Sequence, residues 1–220
     1  KGIIERNILP ANKIQHILAN NVDSKEVTSK IFKSLVKYRD EYDLKSDDDY
    51  WEECAKEGRF DGPEVKFIKN MLQTFLPKKV RSSILDGLFH EYVTADQKGF
   101  AEKLYLNLDD AKAMKEKGMD IQSHGYEHER LEFMTKEEQI EDTKNAALGF
   151  ETLGIDKSNW TACYPYGSYN KDTEEVLRSF GCKAGYSTKG GVTNIEEVGR
   201  FEINRMDATE LVGEMEMTRL

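Results

Sequence analysis

A change of period near residue 105 constrains this chain more than any other feature. Beyond it, short apolar runs of strand character take turns with helical stripes, and glycines mark the junctions. A helix over 108–117 runs to Gly118, and a strand over 119–123 runs into a polar loop. Thr135 with Glu138 forms a capping box, and the helix it opens carries Ile140, Ala147, Phe150 and Leu153 as far as Gly154. A strand over 160–164 comes next, then a helix bearing Val176, Leu177 and Phe180 that stops at Gly181. Strands over 182–187 and 201–206 complete the series, with Gly190-Gly191 as a turn. This βαβα order predicts parallel strands with helices outside them, as in an α/β barrel or an open sheet.

The first hundred residues read differently. Val27, Ile31, Leu35 and Tyr38 recur at helical spacing, and Val65, Ile68, Leu72, Phe75 and Leu76 repeat it between Pro63 and Pro77. The acidic run over 40–53 is expected to be a solvated face or loop rather than a calcium site. Residues 1–105 are therefore expected to form a mainly helical elaboration, and 106–220 the α/β part.

Composition narrows the class of function. At 220 residues, 38% hydrophobic, 33% charged and net −9, the chain is globular and acidic, so nucleic acid is not an expected partner. No window approaches the roughly 20 apolar residues needed to span a bilayer, so membrane insertion is not expected. Three widely spaced cysteines, Cys54, Cys163 and Cys182, give neither a disulfide framework nor a cysteine-based zinc site, and a cytoplasmic setting is the default expectation. Nothing speaks to oligomeric state.

Two of the four histidines fall together in IQSHGYEHERL, at positions 124 and 128, just past the end of a strand. Functional groups gather at such strand ends. If the residues after Ser123 turn once like a helix, the two imidazoles face the same way and can hold one transition metal, zinc first among them. A bare pair at this spacing more often has a structural role, with one imidazole packed on Tyr126 and the other capping a backbone carbonyl. His124, Glu127 and His128 also match HxxEH literally, but protease chemistry would need that motif inside a helix, which Gly125 disfavours. The other two histidines, His16 and His90, sit on apolar faces as core or surface residues.

Further along, the strand that ends in WTACYPYGSYN again opens into a loop before a helix. Taken in order, GMDIQSHGYEH, a capped helix, CYPYGSYN, another helix and GCKAGYST resemble the NodB-homology polysaccharide deacetylases over roughly 105–210. The resemblance implies a distorted (β/α) barrel, a divalent metal held by one aspartate and two histidines, and hydrolysis of N- or O-acetyl groups on a carbohydrate substrate. His124 and His128 match the histidine ligands. Tyr166 matches the tyrosine whose backbone N–H helps hold the oxyanion, Pro165 and Gly167 shape its turn, and Tyr164 with Tyr166 would wall the sugar groove.

Departures from the family pattern are equally specific. Gly125 replaces a serine or threonine whose hydroxyl would steady the loop. Cys163 stands where many members carry an arginine that orients the catalytic aspartate, and Arg205, with Asp207 two residues on, is the candidate replacement. The family's F-D-D-G motif is not found. Phe60-Asp61-Gly62-Pro63 has a single aspartate and reads as a helix start with Asp61 as cap. The expectation is that this motif lies upstream, that the barrel is incomplete at its start, and that the helical part is an insertion. A non-catalytic carbohydrate-binding or scaffold module on the same fold is the alternative of a different class.

Overall fold

The structure is a computed structural model that describes residues 1–208 except 21, 57, 59 and 60. It divides into two compact units, Lys1–Asn107 and Leu108–Leu220.

The first unit is helical: α1 (Gly2–Glu5), α2 (Pro10–Ala19), α3 (Ser24–Leu35), α4 (Asp47–Cys54), α5 (Pro63–Asn70), α6 (Lys78–Tyr92) and α7 (Gln97–Leu104). Their apolar stripes meet around Ile14, Ile31, Phe67, Met71 and Phe89, each at most 1% exposed. The stripe predicted between Pro63 and Pro77 is interrupted. Residues Met71–Phe75 widen to a π-helical turn, with the Leu76 N–H reaching back to Met71 O, and this rotates Phe75 out to 41% exposure while Leu72 stays buried. The Arg6 guanidinium closes the end of α7 by donating to the carbonyls of Glu102, Tyr105 and Leu106 at 2.7–3.1 Å. Asp61 does not cap α5. Gly62 is the N-cap, and the Asp61 carboxylate instead pairs with Lys69 at 2.7 Å, because that opposite charge on the helix lies within its reach. Phe60 lies outside the described residues.

The second unit carries α8 (Leu108–Glu116), α9 (Lys136–Leu153), β1 (Trp160–Cys163), α10 (Lys171–Ser179), β2 (Cys182–Tyr186) and α11 (Ile195–Val198). Strands β1 and β2 pair in parallel, with Cys163 opposite Tyr186. One parallel bridge adds Ser123 beside Ala162, and another adds Ile203 beside Tyr186. Four segments thus lie side by side in chain order, as a βα succession with short connections favours. The expected strands over 119–123 and 201–206 shrink to these single bridges. At the first, the Gln122 side-chain oxygen takes the Thr161 N–H at 2.7 Å, where a backbone carbonyl would continue the ladder. The described residues form a two-stranded parallel sheet and not a closed barrel.

The capping box of α9 is present as predicted, with Thr135 and Glu138 bonded reciprocally, and Gly154 ends the helix at φ 64°. Its buried face departs from the predicted one at Ile140. Phe150 is inside, but Ile140 is 39% exposed, and Gln139, Asp142 and Thr143 point inward in its place. No helix among the described residues is long and apolar enough to cross a membrane.

Candidate active site

The histidine loop leaves the sheet at Ser123, whose N–H donates to Thr161 O and whose carbonyl accepts from the Cys163 N–H at 2.8 Å. The loop beyond Ser123 is not a helical turn. Gly125 has φ 71° and His128 φ 57°, both left-handed, so the chain doubles back within a few residues. The rings still meet: the His124 and His128 centroids are 4.9 Å apart at 74°. This backbone excludes the HxxEH protease reading, since a helix interior cannot hold a left-handed His128.

The YPYG bend lies directly against the pair. Pro165 closes over Gly125, where a Cβ would stand 3.3 Å from Pro165 Cγ. The Tyr166 ring meets His128 edge-on at 4.9 Å, and the Arg130 guanidinium lies 4.7 Å from the centre of the Tyr166 ring. Tyr166 itself has φ 58° and Gly167 φ 68°, and a Cβ on Gly167 would come within 2.0 Å of Thr188 Oγ1. Tyr166 is thus an aromatic partner of the pair, through His128.

His124 Nδ1 stands 2.8 Å from the carbonyl oxygen of Cys163. A carbonyl only accepts, so Nδ1 carries the proton and Nε2 keeps its lone pair, the arrangement that a metal-binding imidazole needs. Among the described residues, His128 Nδ1 is buried without a hydrogen-bond partner. Burial, with a smaller contribution from the neighbouring His124, holds the His128 pKa below its ordinary value, which keeps the ring neutral and able to donate a lone pair. These two side chains suit a divalent ion in donor chemistry and proximity. Among the described residues no group of three or more His, Cys, Asp or Glu side chains converges on one point.

The other sequence candidates differ in setting. Tyr164 is fully buried, its hydroxyl donating to Phe201 O at 2.8 Å and its ring stacked on Tyr169 at 4.5 Å. It supports the bend from below and does not wall a groove, because its strand phase points it into the core. Pro165 is buried in the bend and Gly167 is partly covered. Arg205 donates Nε to Ser187 O at 2.8 Å, which ties that end of its guanidinium to the residue after β2, and Asp207 is exposed.

Sequence reasoning misses Asp142. Its carboxylate, on a residue 5% exposed in α9, accepts the N–H groups of Tyr126 at 3.0 Å and Glu127 at 2.8 Å, the two residues before His128. The signal that could have found it is the polar succession Gln139, Asp142, Thr143 at helical spacing on a capped helix that comes after a histidine pair.

Comparison with known proteins agrees with the two motifs. The profile of the family described as Polysaccharide deacetylase matches residues 88–185, a span that holds both histidines and the whole bend. This segment is similar to the polysaccharide deacetylase family. The match begins within α6 and ends before Arg205 and Asp207. A curated relative, "Putative polysaccharide deacetylase YxkH" of Bacillus subtilis (strain 168), is 24% identical over 109 residues, 50% of this chain and 38% of the relative, so the alignment spans well under half of that protein. Among solved structures, the Streptococcus pyogenes deacetylase PplD in complex with acetate aligns over 81% of this chain and 80% of its own at 20% identity, with a TM-score of 0.43.

Proposed function

We propose that this chain is part of a metal-dependent carbohydrate deacetylase, a hydrolase that removes acetyl groups from N- or O-acetylated sugars of a polysaccharide or its precursor. The observation that carries the reading is the pair itself. His124 is fixed by the Cys163 carbonyl with Nε2 left to ligate, and His128 is held neutral 4.9 Å away, beside the YPYG bend of a segment similar to the polysaccharide deacetylase family.

In this reading His124 and His128 are the histidine ligands of a divalent ion, zinc first, which when bound polarises the acetyl carbonyl and acidifies water. The ligands move no proton; each must stay neutral, and the low basicity of buried His128 keeps it so near neutral pH. The backbone N–H of Tyr166 is the proposed donor to the oxyanion, in a bend held rigid by Pro165 and Gly167. The Tyr166 ring and Arg130 would line the sugar side of the site. Arg205 and Asp207 are proposed to carry charge toward the reacting groups from the end of the sheet.

The test is metal analysis and acetate release from acetylated chito-oligosaccharides, on the full-length protein and a His124→Ala/His128→Ala variant. Stoichiometric zinc in the parent, lost together with acetate release in the variant, is the expected result. Equal metal content in both would refute the cradle.

A further inference from the structure

We propose that Asp142 is a positioning residue for the histidine pair, its carboxylate on α9 holding the 124–128 loop in the one backbone conformation that brings the two imidazoles together. The inference rests on the metal-cradle reading for its functional meaning, but its geometry stands apart from it.

A carboxylate on a residue only 5% exposed loses most of its hydration, and strong hydrogen bonds must offset that loss. Asp142 takes two of them from consecutive amides, Tyr126 N–H onto Oδ2 and Glu127 N–H onto Oδ1, so each oxygen fixes one peptide plane. Those planes lead straight into His128. On both sides of them the backbone is left-handed, Gly125 at φ 71° and His128 at φ 57°. A non-glycine residue in that region costs about 1–2 kcal/mol, and such a state persists only where its surroundings over-determine it.

The carboxylate supplies that constraint from one side and Pro165 from the other. A Cβ on Gly125 would sit 3.5 Å from Asp142 Oδ2 and 3.3 Å from Pro165 Cγ, so the loop is held between helix and bend. The helix is itself fixed in place: its capping box is complete, and Gln139 Nε2, one turn earlier, donates to Met134 O at 3.2 Å. A carboxylate suits these two amides because each presents a donor, one to each oxygen. An asparagine would offer one oxygen and turn its amide hydrogens toward the second N–H.

The experiment compares parent, Asp142→Asn, Asp142→Ala and Asp142→Glu in the full chain. Zinc affinity is measured by competition with a chromogenic chelator, thermal unfolding by circular dichroism, and the His124–His128 and His128–Tyr166 ring contacts by proton NMR without metal. The expected result is that Asp142→Asn melts cooperatively, loses both ring contacts and binds zinc about 10- to 100-fold more weakly, with Asp142→Glu recovering part of each. Ring contacts and zinc affinity unchanged in a folded Asp142→Asn would overturn the role of Asp142 and leave the cradle standing. If the parent binds no zinc, the cradle fails, and Asp142 is judged on the metal-free ring contacts alone. Should Asp142→Ala fail to fold, Asp142→Asn, nearly the same size, decides.

Discussion

The hydroxyl of Tyr164 donates to the carbonyl of Phe201 at 2.8 Å, and it passes over Gly185 so closely that a Cβ there would lie 1.9 Å from the phenolic oxygen. One phenol thus ties the bend after β1 to the segment beyond β2, and the absence of a side chain at 185 makes room for it. Gly185→Ala is expected to destabilise the second unit by about 1–3 kcal/mol through overpacking. Tyr164→Phe should cost about 1 kcal/mol for the lost bond. Because both changes act on one contact, the double variant should be less unstable than the sum, and a urea double-mutant cycle measures the coupling. Simple additivity would mean that the phenol does not occupy that space.

Alkaline stability depends on the same core. Burial pushes the Cys182 thiol up to about 11 from 9.0 and raises the Tyr164 phenol above its ordinary 10.0. A folded pKa above the unfolded one means that the fold binds the proton more tightly. The contribution is fully present below pH 9 and lost as pH rises through about 11. Urea midpoints should fall between pH 8.5 and 10.5, bracketing the lower part of that window, and Cys182→Ala should flatten part of the fall. A midpoint that rises with pH would contradict this burial.

Thiol reactivity should rank by environment. Cys54, fully buried with its thiol pushed up to about 12, and Cys182 should resist iodoacetamide in the native protein, whereas partly exposed Cys163 reacts first. Peptide mapping by mass spectrometry after brief alkylation at pH 8 checks the order.

The capping box of α9 should matter beyond its own turn. Thr135→Ala removes the acceptor for the Glu138 N–H and is expected to cost about 1 kcal/mol. Since the same helix carries Asp142, hydrogen exchange at Tyr126 and Glu127 should quicken in that variant. Unchanged exchange there would separate the cap from the loop.

Glycines in the loop and bend should not be equivalent. Gly125→Ala meets only the cost of its left-handed backbone and a tight contact with Pro165, about 1–2 kcal/mol. Gly167→Ala adds a clash with Thr188, with its Cβ 2.0 Å from Oγ1, and should lower the melting temperature further. The reverse ranking would show that Thr188 turns aside freely.

Several elements are legible in the sequence because their signals are local. Thr135 and Glu138 cap a helix through bonds within one turn, Gly118 and Gly154 adopt the positive φ that ends a helix, and Val27, Ile31 and Leu35 share a face by spacing alone. The histidine pair and the YPYG bend are legible as motifs, and the family match covers both. Ile140 misleads, because a periodic pattern identifies a stripe but not which stripe a partner will cover. The covered one here bears Gln139, Asp142 and Thr143, and the Asp142 carboxylate meets the histidine loop.

The sequence by itself determined where α9 begins and ends, which half of the chain alternates strands with helices, and that two histidines share one loop after a strand-like run. Only the tertiary structure decided that the imidazoles converge through left-handed backbone rather than a helical turn, that Tyr164 lies beneath the bend, and that Asp142 holds the loop. Caps and turns are settled by groups a few bonds apart, whereas ring convergence and the burial of a carboxylate depend on segments that meet only when the chain folds.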